Sequence, residues 1–154
     1  MTTKVQIGTI IHATLRPQDL IPAFIEELKR LDRRKLVSIF ENEEREVGHL
    51  LLGTMGIDED HEWWDSEDCA CLLNETLFDA LNEHAPIGCY FGAHPGDGSD
   101  FGFWPHENLE DAAMDDAVLC IGPKDTCPDY ILETNDHGNV TMYRVELVEE
   151  WSCV

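Results

Sequence analysis

The sequence predicts an α+β fold, a mostly antiparallel sheet built around hairpins with two to four helices packed on one face. Three observations carry that expectation. A β-branched opening is followed by segments of helical periodicity and then by a run of strand-like segments, an order that suits helices gathered on one side of an antiparallel sheet. Between Gly88 and Pro105, two short aromatic segments, Cys89 to Ala93 and Phe101 to Trp104, flank the turn-favouring run His94-Pro95-Gly96-Asp97-Gly98-Ser99-Asp100, which is a hairpin signature. At 154 residues and 43% hydrophobic composition the chain suffices for one core and is short for two, so residues 1–154 are expected to form a single domain.

Taken in order, Val5 to Ala13 is apolar and β-branched enough for a strand. Thr14-Leu15-Arg16-Pro17 then starts a helix, since a proline in the first turn lacks only a donor that would have no partner there. Leu20, Ile21, Phe24, Ile25, Leu28 and Leu31 recur at helical spacing, and Lys29, Arg30, Arg33, Arg34 and Lys35 gather where the helix dipole is negative. Leu36, Ile39, Phe40, Val47, Leu50 and Leu51 suggest a second helical segment over residues 35–52, ended by Gly53 and Gly56.

Ser66 is a good N-cap for a third helix, with Glu67 and Asp68 in its first turn. Its stripe of Cys69, Leu72, Leu73, Thr76, Leu77, Ala80, Leu81 and His84 is expected to pack on the sheet, and Pro86 stops it. The hairpin after Gly88 is expected to supply the central pair of that sheet, because its five aromatic side chains offer more apolar area than a surface loop would expose. Asn108 is placed to cap a short acidic helix through Met114. Ala117 to Ile121 reads as a buried strand, Pro128 to Asn135 and Val140 to Val148 as partners across a turn at residues 135–139, and Trp151 belongs to a last strand.

Charge is the property that sets the chain apart. The formal net charge is −22, far more than solubility requires. Residues 1–40 hold seven Lys/Arg against four Asp/Glu, whereas residues 41–154 hold 28 acids against Arg45, Lys124 and Arg144. Such self-repulsion opposes compaction, so stability alone does not explain it. Direct nucleic-acid binding and anionic membranes are expected to be excluded, and a basic protein surface is the natural partner.

The six cysteines, at 69, 71, 89, 120, 127 and 153, contain no Cys-x-x-Cys pair. The N-terminus has no apolar signal-peptide core, and no stretch approaches membrane-spanning length. Reduced thiols in a cytosol are therefore expected, with no cysteine activated by nearby positive charge. The nearest metal constellation is His94, Asp97, Asp100 and His106, with Asp136 and His137 in a second turn. Its spacing matches neither a calcium loop of EF-hand type nor a His-Glu-x-x-His helix, so these residues are read as turn chemistry, with no metal, no cofactor and no catalytic residue expected.

Three blocks carry a resemblance: Ile7-Gly8-Thr9-Ile10 through Arg16-Pro17-Gln18-Asp19-Leu20, Gly92 through Trp104, and Asn135-Asp136-His137-Gly138-Asn139-Val140-Thr141. Together the chain resembles small uncharacterised acidic proteins of tailed bacteriophages, a likeness that implies phage origin and carries no activity with it. At the level of class it is also similar to phage anti-defence inhibitors that act as DNA mimics, which implies an anti-CRISPR or anti-restriction role.

The physical argument for a mimic stands beside that resemblance. DNA carries one charge per roughly 1.7 Å of axis, and its protein sites are basic grooves to which a rigid acidic surface can be steered. The residues expected to stand in for phosphates are Asp58, Glu59, Asp60, Glu62, Asp65, Glu67 and Asp68, together with Glu107, Glu110, Asp111, Asp115 and Asp116. Trp63 and Trp64 are expected to be apolar anchors in a pocket of the partner. The expected partner is the nucleic-acid-binding surface of a host defence nuclease, CRISPR effector or repair enzyme in the bacterial cytosol, met by a monomer or homodimer. Two alternatives remain, a metal-binding module or metal-dependent hydrolase centred on His94, Asp97 and Asp100, and a structural or regulatory phage protein without enzymatic activity.

Overall fold

The computed structural model describes residues 4–41, 57–86, 88–107, 130–134, 137 and 139–144. The chain divides into two units, Met1–Pro105 and His106–Val154. The first is an α+β unit whose described residues form a three-stranded antiparallel sheet and three helices.

Strand β1 (Gly8–Ile11) leads into helix α1 (Pro17–Leu31), which begins with Pro17 in its first turn as the sequence predicts. Helix α2 (Arg33–Glu41) follows after the single residue Asp32. A 3₁₀ turn (Glu62–Asp65) precedes helix α3 (residues 67–82), which is α-helical at Glu67–Cys71, widens to π-helical turns at Leu72–Leu77 and closes as α-helix at Phe78–Asn82. The expected stripe of α3 is inward, with Cys69, Leu72, Leu73, Leu77, Ala80 and Leu81 all buried.

The aromatic hairpin is formed by β2 (Cys89–His94) and β3 (Asp97–Pro105), with Tyr90 against Trp104, Phe91 against Phe103 and Gly92 against Gly102. Its turn is shorter than the sequence suggests, because Asp97 already pairs with His94 across Pro95 and Gly96. Gly98, Ser99 and Asp100 absorb the difference as a bulge between the Asp97 and Phe101 pairs.

Strand order is β1-β3-β2, so β3 alone is central. The expectation that both hairpin strands are central is corrected by α3, whose Asn82 accepts the Phe91 backbone N–H on the side of β2 away from β3. Between β1 and β3 the backbones approach so closely that a Cβ on Gly102 would lie 2.0 Å from the Gly8 carbonyl oxygen. Gly8 itself has φ +127°, a conformation open to glycine.

The core lies between sheet and helices. Phe24 of α1 meets Phe91 and Phe101 of the sheet and Phe78 of α3 edge-on, with ring centroids 5.0 to 5.9 Å apart. Leu36, Ile39 and Phe40 of α2 and the two tryptophans of the 3₁₀ turn join the same cluster. In the second unit, β4 (Tyr130–Thr134) and β5 (Val140–Arg144) form an antiparallel pair, Tyr130 against Arg144 and Thr134 against Val140. The helical reading of residues 42–52, the helix from Asn108 to Met114, the strand Ala117 to Ile121 and the strand around Trp151 lie outside the described residues. Among the described residues no helix is long and apolar enough to cross a membrane.

Candidate functional site

The acidic segment from Asp58 to Asp68 is folded from the inside. Trp63 and Trp64 are 8% and 7% exposed, pack edge-on against each other at 5.0 Å and belong to the core of the first unit. Their backbone is held by local bonds. The Asp58 carbonyl accepts both the His61 N–H (3.0 Å) and the Trp64 indole N–H (2.9 Å), and His61 Nδ1 accepts the Trp63 N–H (3.1 Å) to cap the 3₁₀ turn. Ser66 acts twice, donating its hydroxyl to the Trp63 carbonyl (2.6 Å) and accepting the Cys69 N–H (3.1 Å) as N-cap of α3.

With the two indoles inward, the polar residues between and around them face water. Asp58, Glu59, Asp60, Glu62, Asp65, Glu67 and Asp68 are all exposed. The expected anchoring role of Trp63 and Trp64 is corrected by the same packing, since indoles turned into the core have no face to offer a partner. Adjacent tryptophans among acids read equally well as surface anchors or as a core plug. Only the contacts with the helices decide between the two.

Seven carboxylates in eleven residues repel one another, and two features of the fold oppose that repulsion. Arg16, just before α1, reaches Glu59 at 3.4 Å, and Gln18 in the first turn of α1 donates to the Glu59 carbonyl at 3.5 Å. Just past the other ends of α1 and α3, Asp32 Oδ2 lies 3.9 Å from His84 Nε2, and Lys35 in the first turn of α2 pairs with Glu83 at 2.8 Å. Helices α1 and α3 therefore run side by side in the same direction, and both positive dipole ends lie against the acidic segment. The sequence signals the dipole of α3 through Ser66, but the contribution of Arg16 and Gln18 depends on a contact across some forty positions. The second expected acidic stretch is described only at Glu107, which is exposed; Glu110, Asp111, Asp115 and Asp116 lie outside the described residues.

At the hairpin tip, His94 Nδ1 accepts the Gly96 N–H at 3.0 Å and its ring meets Trp104 edge-on at 4.6 Å. Asp97 Oδ1 accepts the Ser99 N–H (3.0 Å) and hydroxyl (2.8 Å). Those two bonds, with smaller help from His94 and His12, hold the Asp97 carboxyl below the usual carboxylate range. Asp100 Oδ2 accepts the Thr9 hydroxyl at 3.1 Å, which ties the bulge of β3 to β1. Each of the three residues thus has a turn or bulge contact of its own. Among the described residues no three His, Cys, Asp or Glu side chains converge as a metal-ligand set. His12 is the one member of this neighbourhood that sequence reasoning missed, because the sheet brings it there from the far end of β1.

Cys69, Cys71 and Cys89 are free thiols. Burial, with the nearby Asp65 charge adding to it, pushes the Cys69 thiol up to about 11, and burial raises Cys89 as well. Neither is poised as a nucleophile at neutral pH. Cys120, Cys127 and Cys153 lie outside the described residues.

Comparison of the chain with protein-family models, with curated proteins and with solved structures gives no match.

Proposed function

We propose that this chain is a strongly acidic inhibitor of phage type that acts in the bacterial cytosol by occupying the nucleic-acid-binding surface of a host defence or DNA-processing protein. The observation that carries the reading is the Asp58 to Asp68 segment, where seven exposed carboxylates project from a backbone tied down by buried indoles, a capped 3₁₀ turn and a capped helix. A groove built to hold phosphates presents Lys and Arg at close spacing. A fixed array of carboxylates meets it with little ordering cost, whereas a flexible acidic tail would lose chain entropy on binding.

Such a mimic needs no cofactor, no metal and no catalytic residue, because its effect is competition. Its association with the target is fast at low ionic strength and slows as salt screens the attraction. Without outward tryptophans, affinity rests on charge and on the fit of the carboxylate array, and the complex is correspondingly salt-sensitive.

The test is competition for the target. The chain is immobilised, challenged with bacterial lysate and eluted with a rising salt gradient, and each recovered protein is assayed for nucleic-acid binding with and without the purified chain. A DNA-binding protein that elutes early and loses its DNA as the chain is added supports the reading. A partner that keeps its DNA while saturated with the chain overturns it.

A further inference from the structure

Asp32 is the single residue between α1 and α2, and it serves both. Its backbone N–H donates to the Leu28 carbonyl (2.7 Å) to finish α1, and its Oδ1 accepts the N–H groups of Arg34 and Lys35, each at 3.0 Å, to start α2. The other carboxylate oxygen, Oδ2, lies 3.9 Å from Nε2 of His84, just beyond the end of α3. That imidazole nitrogen is buried and has no hydrogen-bond partner among the described residues. A buried polar nitrogen left in this state costs stability and so calls for an explanation.

We infer that His84 and Asp32 form a proton-operated latch, in which protonated His84 draws Nε2 onto Asp32 Oδ2 and fixes the α1–α2 corner to the end of α3. The proton comes from solvent and adds to the imidazole, and no other bond is made or broken. Histidine is the side chain whose unperturbed charge change falls between about pH 5 and pH 8.

The Arg34 charge acts on Asp32, whereas the Lys35 ammonium is engaged by Glu83, the neighbour of His84 in sequence, at 2.8 Å. The Lys35 backbone bond comes first among the causes that hold the Asp32 carboxyl below its usual range, with the Arg34 backbone bond and the charges of His84 and Arg34 adding to it. Asp32 is therefore already ionised where histidine titrates, and the switching proton belongs to His84. What the latch positions is the start of α2, where Arg33 and Arg34 have no ion pair among the described residues. They are part of the small positive region in a chain of net charge −22.

The test uses the full chain and two conservative variants, His84→Gln and Asp32→Asn. Asparagine caps a helix as well as aspartate does, so Asp32→Asn keeps α2 while removing the charge that His84 would meet. In the parent protein, NMR titration should show the Arg34 and Lys35 amides moving with the same midpoint as the His84 ring. Their hydrogen exchange, corrected for intrinsic rate, should slow about twofold between about pH 7.5 and about pH 5.5, the scale of a partly exposed pair. His84→Gln and Asp32→Asn should each abolish both responses at the Arg34 and Lys35 amides. A parent ring that titrates without any response at Arg34 and Lys35, or a response at those amides that survives unchanged in Asp32→Asn, overturns the latch.

Discussion

The backbone N–H of Phe91 donates to Oδ1 of Asn82 at 2.9 Å, so the last residue of α3 closes the outer edge of β2. An open strand edge is a template for pairing with other chains, and a side-chain acceptor fixed on a helix removes one of its free donors. The same bond sets the height of α3 over the hairpin, where Phe78 and Phe91 meet at 5.0 Å.

Replacing Asn82 with alanine leaves the Phe91 N–H without that partner while removing no apolar contact of the core. The expected loss is about 1 to 3 kcal/mol in a denaturant titration, the cost of an unpaired buried amide. Hydrogen exchange at Phe91 should accelerate in step. Unchanged exchange at Phe91 would show that the bond contributes nothing to the edge.

Helices α1 and α3 and the aromatic hairpin were legible in the sequence for physical reasons. Leu20 to Leu28 and Cys69 to Leu81 repeat at the helical period, Pro17 and Ser66 mark the starts, and Tyr90, Phe91, Phe103 and Trp104 bracket turn residues. The edge position of β2 and the inward turn of Trp63 and Trp64 were not legible, because both are set by contacts between distant segments. The π-helical turns at Leu72–Leu77 leave the pattern of buried leucines unchanged, so periodicity reads straight through them. The exposed carboxylates of the candidate site were readable one by one, but their rigidity comes from the Asp58, His61 and Ser66 bonds, whose effect depends on the indoles being buried.

Gly102 is required by a close approach of two backbones. A Cβ there meets the Gly8 carbonyl oxygen at 2.0 Å and Cα of Thr9 at 3.1 Å, and backbone atoms cannot rotate away as a side chain would. Gly102→Ala should therefore separate β1 from β3 and cost at least about 3 kcal/mol, the upper part of the range for overpacking. Gly98→Ala, where nothing lies within 4 Å of the added atom, is the matched control and should stay within about 1 kcal/mol. Equal effects for the two substitutions would remove close packing as the reason for glycine at 102.

Cys69 makes stability depend on alkaline pH. Burial, with the Asp65 charge adding to it, pushes its thiol from the ordinary 9.0 up to about 11, so the folded state favours the protonated form. The sign follows from linkage: the contribution is complete below pH 9.0 and is lost as the pH rises towards about 11, because the unfolded chain releases its proton first. Urea midpoints measured across that window should fall more steeply for the parent than for Cys69→Ala. Parallel slopes would mean that Cys69 ionises as readily in the folded state as in the unfolded one.

The acidic segment and the tryptophans beneath it should separate cleanly under mutation. Converting Asp58, Asp60, Glu62, Asp65 and Glu67 to their amides removes exposed charges, and none of the five has an ion pair among the described residues. Stability should hold or rise, since isolated surface charges contribute little and this group is mutually repulsive. Binding to the recovered nucleic-acid-binding partner should weaken with each neutralised carboxylate. The loss should be largest at low salt, where the attraction is least screened. Trp63→Ala should behave in the opposite way, costing about 3 to 5 kcal/mol of folding stability because a buried indole leaves a large cavity. At temperatures where the variant remains folded, its affinity should match the parent's, and its salt dependence should be the same. The decisive comparison is affinity at two salt concentrations for the five-amide variant and for Trp63→Ala, each checked for folding by circular dichroism. Full low-salt binding by the five-amide variant would remove the phosphate-surrogate role from this segment. A folded Trp63→Ala variant that binds weakly at every salt concentration would return the indoles to the interface.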